Sequence, residues 1–297
     1  MATTTRRSRP ASAGTFAAIA SVVMWGAGNV LVKYIRLDGM AIAFNRLWLG
    51  SILFSALLIA RGGRVTLASL RVAAPGGVAF ALDVALFFTA IKHTSVADAS
   101  IITALQPALL FFVAGPLFSE KVHAAAVGWT LVAIVGVTVA VLASSSGAGR
   151  TVQGDLIALA SLLAWTWYFV ASKQARQRLG ALEYQASLSV VAALVVTPLA
   201  IVSSHHLVVR DASTFGWIVL MVFVPGGGHL IMNWAHEYAP ITLVSMVTLG
   251  IPVIATIGAA IALGEPVTLI QGAGMVLVIV ALAMVLRRPP VASSHSF

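Results

Sequence analysis

Two charged residues stand where a bilayer would surround them. Asp83 lies in Leu82-Asp83-Val84-Ala85, near the middle of a long apolar run. A carboxylate at that depth costs several kcal/mol unless it is paired, protonated or facing water, so a functional role is the default reading. A low-dielectric setting favours the neutral acid, which is the property a proton-coupling residue needs. A fixed ion pair or helix-to-helix hydrogen bond that only holds a bundle together is the competing reading. Arg46, inside a neighbouring apolar run, is the natural partner of Asp83 or Asp98, or else a substrate anchor. A guanidinium facing a cavity selects anionic or zwitterionic groups through bidentate hydrogen bonds. Partial snorkelling toward the surface is its third reading.

Polar and aromatic residues recur around these two at helical spacing. Trp25 and Asn29 are four apart and share a face, which Lys33 continues one turn on as an interfacial anchor. Asn45 adjoins Arg46, so one of the two faces a cavity and the other a neighbouring helix. Trp165, Tyr168 and Ser172 fall on one face of a later run, with the serine expected only to bond a local carbonyl. His229 and Asn233 share another face, and Tyr184 and Gln185 open a further run. The candidate substrate-binding set is therefore Trp25, Asn29, Asn45, Arg46, Gln106, Trp165, Tyr168, His229 and Asn233, with Asp83 as coupling residue.

Hinge or gating positions form a second set. Pro107, directly after Gln106, and Pro252, two residues after Gly250, lack the backbone donor and would kink their helices at mid-membrane depth. Pro225, Gly226, Gly227 and Gly228 weaken one helix, since glycine costs about 1 kcal/mol relative to alanine at each interior position. A broken helix lining a cavity and close packing of a neighbour against the glycines are compatible readings. Glu120 and Glu265 sit at joints between runs, where either would cap the helix that follows it.

The elements that must position these residues are membrane-spanning helices. Of 297 residues, 60% are hydrophobic and 9% charged, against about 45–50% and about 25% in soluble domains. Ten stretches have spanning capacity: 15–35, 40–60, 73–91, 96–117, 124–144, 155–173, 185–203, 214–234, 241–263 and 267–286. Each approximates the roughly 20 residues that cross a 30 Å hydrocarbon layer. Ten crossings put both termini on one side. Twelve of the 18 Lys and Arg residues then fall on that side and five on the other, with Arg46 within a span. This bias makes the termini cytoplasmic and the location the cytoplasmic (inner) membrane. The net charge of +9 is therefore a topology signal, and no nucleic-acid partner is expected. The first apolar run lacks an evident cleavage site and reads as a retained span.

An internal repeat is visible at a nearly fixed offset. Trp25 and Lys33 recur as Trp165 and Lys173 at an offset of 140, and Pro107 and Glu120 recur as Pro252 and Glu265 at an offset of 145. Five spans per half is an odd number, so the halves enter the membrane from opposite sides. Such inverted repeats rock around a central site to give alternating access, although duplication also serves packing alone. The expected organisation is a cytoplasmic tail at 1–14, a first five-helix repeat at 15–144, an external linker at 145–154, a second repeat at 155–288 and a tail at 289–297. Both tails read as disordered.

The first span, Trp25-Gly26-Ala27-Gly28-Asn29-Val30-Leu31-Val32-Lys33, resembles the opening of EamA-type carriers of the drug/metabolite transporter superfamily. So does the stretch from Ala90 to Pro107 that leads to Glu120. Tyr238-Ala239-Pro240, Pro252 and Gly264-Glu265 resemble the repeated version of that pattern. The resemblance covers 15–288 and implies ten helices in two inverted five-helix repeats. It implies movement of small metabolites, often outward and often driven by an ion gradient. Pro225-Gly226-Gly227-Gly228-His229 departs from the fuller pattern.

The partners expected are a small polar metabolite, protons and the lipid bilayer. No cofactor is expected. The chain has no cysteine, no P-loop to drive pumping with ATP, and no His-Glu-x-x-His or GxSxG motif. An integral-membrane transferase using Asp83 and His229 is the best enzyme alternative. A channel, an uptake permease and a non-transporting scaffold are the other readings kept open.

Overall fold

The computed structural model describes residues 11–93, 99, 102–143, 151–204, 206–264, 267–287 and 291–292. Helix follows helix: α1 (Ala11–Leu31), α2 (Gly39–Ala60), α3 (Leu67–His93), α4 (Gln106–Phe118), α5 (Ala124–Leu142) and α6 (Val152–Ala175). The chain continues through α7 (Ala181–Ser203), α8 (Ala212–Met221), α9 (Gly227–Tyr238), α10 (Ile241–Val247), α11 (Ile251–Leu263) and α12 (Leu269–Arg287). Several starts are fixed by side-chain caps. Asp38 accepts from the Ala41 amide, Thr151 from that of Gly154 and Asp211 from that of Thr214.

Among the described residues, eight helical segments are long and apolar enough to cross a membrane, and two further apolar segments, Gln106–Phe118 and Ala124–Ala140, are shorter. Eight of the ten expected spans are thus full length among the described residues, and the fourth and fifth are present as shorter apolar helices. The fourth expected span is interrupted: residues 102–103 are helical, 104–105 form a turn, and α4 starts afresh at Gln106. Pro107 therefore occupies the first turn of a helix, where its missing N–H leaves no bond unmade. Pro252 does the same at the start of α11, after a 3-10 turn at Thr248–Gly250. The expected mid-helix kinks are corrected to two matching helix restarts.

The expected break at Pro225 is also corrected. A π turn over Val222–Gly226 joins α8 to α9, so the helical path continues through the proline and glycines with a bulge. The C-terminal tail is not wholly irregular, because Val291–Ala292 (β2) pairs antiparallel with Glu120–Lys121 (β1). This two-residue pairing is the sole β-structure among the described residues.

The packing has a two-fold pattern. α3 lies along α6 as α9 lies along α1, while α2 pairs with α7 and α5 with α12. Exchanging the halves maps the first two contacts onto each other and each of the last two onto itself. Where α5 and α12 cross, a Cβ on Gly136 would fall 2.8 Å from the Gly274 carbonyl oxygen, and one on Gly274 would fall 2.6 Å from that of Gly136. Small residues at such crossings let backbones approach, which replaces the hydrophobic drive that lipid cannot supply.

Candidate functional site

Both halves contribute to a central cavity of about 100 Å³. From α1 it takes Trp25, Gly28 and Asn29, from α2 Arg46, and from α3 Asp83, Val84, Phe87 and Phe88. Thr103 and Ala104 come from the interrupted fourth span. Trp165, Met221, Pro225 and His229 close one side, and Thr248, Ile251 and Pro252 another. Trp25 and Trp165, equivalent in the two halves, meet edge to face with centroids 5.0 Å apart. The Trp25 indole donates to the Pro225 carbonyl at 3.1 Å. Gly28 makes this approach possible, since a Cβ there would lie 2.8 Å from the Pro225 ring.

Arg46 and Asp83 bring opposite charges to this cavity. The Arg46 guanidinium carbon lies 5.5 Å from the Phe88 ring centre and 5.9 Å from that of Phe80, where cation–π attraction steadies it. Among the described residues it has no hydrogen bond or ion pair, although the residue is only 6% exposed. Asp83 accepts a hydrogen bond from Ser161 on α6 at 2.8 Å. The two charges attract across the cavity but do not form a contact pair. Asp98, the other partner considered for Arg46, lies outside the described residues.

Below the cavity a buried polar chain runs between α6, α7 and α9. The Tyr168 hydroxyl lies 3.2 Å from His229 Nδ1 and donates to Asn233 Oδ1 at 3.3 Å. Asn233 Nδ2 donates to Gln185 Oε1 at 2.7 Å, and Gln185 Nε2 to Ser189 at 3.2 Å. Tyr168 and Asn233 are fully buried and do not line the cavity. They hold His229 from behind.

Several expected site residues lie elsewhere. The Asn45 amide donates to the carbonyls of Ala41 and Leu207, both at 2.8 Å, which turns it toward the loop before α8 and away from the cavity. Gln106 bridges the Trp165 carbonyl and the Thr248 hydroxyl, both at 3.4 Å, and is fully buried. Of the gating set, Pro225 and Pro252 line the cavity, while Pro107, Gly226, Gly227 and Gly228 do not. Gly228 packs against Trp25, where a Cβ would sit 3.0 Å from its indole nitrogen. Glu120 does not cap the helix that follows it. Its carboxylate accepts from the amides of Ile241 and Thr242 at 2.6 and 3.0 Å and from the Thr242 hydroxyl at 2.7 Å, capping α10 in the other half of the chain. Glu265 lies outside the described residues.

Thr103 and Thr248 were not singled out from the sequence, yet both line the cavity. They are separated by 145 residues, the offset that relates Pro107 to Pro252, so the repeat itself was the signal that would have found them. Ser161, the Asp83 partner, carries the repeat mark too, since it follows Ser21 by 140 residues, the offset that relates Trp25 to Trp165.

A helical membrane bundle whose two halves exchange contacts, enclosing a cavity with charges at its centre, defines a transporter class. The EamA-like transporter family matches the chain twice in tandem, over residues 12–142 and 152–287. The chain belongs to this family, and it is a multi-pass membrane transporter of the drug/metabolite type. No curated protein matches it. A solved structure described only as the crystal structure of a protein shares the fold, with a TM-score of 0.79 over 92% of this chain and 96% of that one at 19% identity.

Proposed function

We propose that the protein is a secondary active carrier that exports a small polar metabolite, such as an amino acid, across the cytoplasmic membrane by alternating access, with proton antiport through Asp83. The observation that carries this reading is the Arg46 guanidinium, which has no hydrogen bond or ion pair among the described residues and faces a central cavity that also holds Asp83 and is built from both halves. Arg46 anchors a carboxylate, the Trp25 and Trp165 rings form the wall, and Asp83 exchanges a proton as the cavity changes sides. Two inverted five-helix repeats rock about this point. The positive-inside bias supports placing both termini, and with them the end held by Arg176 and Lys173, on the cytoplasmic side.

Counterflow in proteoliposomes tests the reading: labelled solutes from a broad panel of amino acids and small carboxylates should accumulate saturably when vesicles are preloaded with the same solute. Absence of saturable counterflow across the panel overturns it. Direction is tested by intracellular pools, which an exporter lowers on overexpression and raises on deletion.

A further inference from the structure

The buried chain behind His229 has a direction, and that direction fixes what the cavity asks of its ligand. Each member has few roles to choose from. As the two amides are oriented, Gln185 Nε2 donates to Ser189 and Gln185 Oε1 accepts from Asn233 Nδ2 at 2.7 Å. Asn233 Oδ1 is then an acceptor, and the one Tyr168 proton goes to it at 3.3 Å. Toward His229 the Tyr168 oxygen has only lone pairs to offer. The 3.2 Å contact therefore requires the proton on His229 Nδ1. A neutral imidazole carries one N–H, so Nε2 is bare. With Arg46 facing the same cavity, a second positive charge on this ring would be repelled. Among the described residues His229 Nε2 has no partner, and unlike both ring nitrogens of His236 it is not sealed off from open space.

The geometry points to His229 as a hydrogen-bond acceptor for substrate, locked in its Nδ1–H tautomer by the Gln185, Asn233 and Tyr168 relay. The ligand class that follows is a compact carboxylate bearing an N–H or O–H donor. Arg46 supplies only donors and takes the carboxylate, while His229 Nε2 and Asp83, which line the same cavity, supply acceptors. Alanine and lactate, each a carboxylate with one donor on the neighbouring carbon, are simple members of this class. The inference rests on the cavity being the substrate site, as proposed above, but the tautomer does not.

The test uses the full chain in lipid nanodiscs with ¹⁵N-labelled histidine. His229 resonances are assigned among the seven histidines by their loss in His229→Gln. The expected result is a protonated Nδ1 and bare Nε2 in the parent, with both tautomers populated in Tyr168→Phe. Alanine, lactate and propionate are then titrated as a matched series. Alanine and lactate should move the Nε2 resonance, whereas propionate, lacking the donor, should bind about tenfold more weakly and leave it in place. A proton on Nε2, which is the chain with every amide reversed, overturns the inference. So does an unchanged tautomer ratio in Tyr168→Phe, a propionate shift equal to that of alanine, or failure of all three to bind. Saturable counterflow of some other solute alongside such a failure leaves the carrier reading standing. The expected tautomer with no counterflow of any solute leaves the relay and removes the carrier.

Discussion

The two ends of the bundle are built differently. At the cavity end, contacts between elements lie at the rim: Tyr34 stacks on Trp217 at 4.7 Å, Ser204 donates to Asp38, and Asn45 reaches the Leu207 carbonyl. At the other end the contacts are buried and charged. Arg176 on α6 donates to the Asn233 and Leu179 carbonyls and forms an ion pair with Glu237, and Lys173 donates to the carbonyls of His236 and Ala239 at 2.8 and 2.6 Å. These cations sit at the end of α9, where the helix leaves carbonyls unsatisfied and its dipole is negative. The end that is closed is thus closed by charge on helix termini. Among the described residues, the Tyr34, Ser204 and Asn45 contacts at the end that holds the cavity lie at its edge. Three carboxylates, Asp83 in the cavity, Glu120 at the closed end and Asp211 at the rim, probe this difference in order of decreasing effect.

Asp83→Asn carries the largest. It keeps the shape and a hydrogen bond to Ser161 but removes titration. An imposed gradient of one pH unit is worth about 1.4 kcal/mol, or a tenfold concentration ratio for one proton per substrate. The parent should approach that ratio in proteoliposomes, and Asp83→Asn should equilibrate its substrate without concentrating it while still exchanging substrate for substrate. Accumulation by the variant equal to that of the parent would assign Asp83 to structure and break the link between the cavity and coupling.

Glu120→Gln tests the closed end. The Glu120 carboxylate receives three hydrogen bonds, two of them from the first amides of α10, in a site 5% exposed. Glutamine keeps one acceptor oxygen and turns an NH₂ toward those donors, so the cost should be about 2 kcal/mol. Thermal unfolding in detergent should show a midpoint several degrees lower, because this cap joins the two halves across 121 residues of sequence. An unchanged midpoint would mean that the closed end owes its stability to the Arg176 and Lys173 contacts alone.

Much of this arrangement was legible in the sequence, and what was missed has a common cause. Apolar runs, the repeat offset and the depth of Asp83 and Arg46 are one-dimensional signals, and each located a real element or a cavity residue. Periodicity also placed Trp25, Asn29, Trp165 and His229 on faces that meet. It failed where the outcome depended on which neighbour a side chain meets. Asn45 was as polar and as deep as Arg46, and only the position of Leu207 decides that it turns outward. Glu120 reads as a cap for the adjacent helix until the fold brings Ile241 and Thr242 to it. Pro107 and Pro252 signal a disturbed helix equally well as a kink or a restart, and the turn residues before them settle which.

The smallest effect belongs to Asp211, which performs at the rim the task that Glu120 performs in the interior. Its carboxylate accepts from the Thr214 amide at 2.7 Å and caps α8, fully exposed to water. The hydrogen bonds from the Thr214 amide and hydroxyl, followed by the charge of Arg36, hold its pKa below the ordinary carboxylate value. A carboxylate whose pKa is depressed on folding stabilises the fold above its unfolded pKa, and that contribution is lost as pH falls through the folded value. Asp211→Ala should therefore lower the unfolding midpoint only slightly at pH 7, by less than Glu120→Gln does, because water competes for the same amide. The difference between parent and variant should persist from pH 8 down to the ordinary carboxylate range and fade below it, as pH falls through the depressed folded value. A loss as large as that of Glu120→Gln would show that the rim is fastened as firmly as the closed end, and the contrast between the two ends would fail.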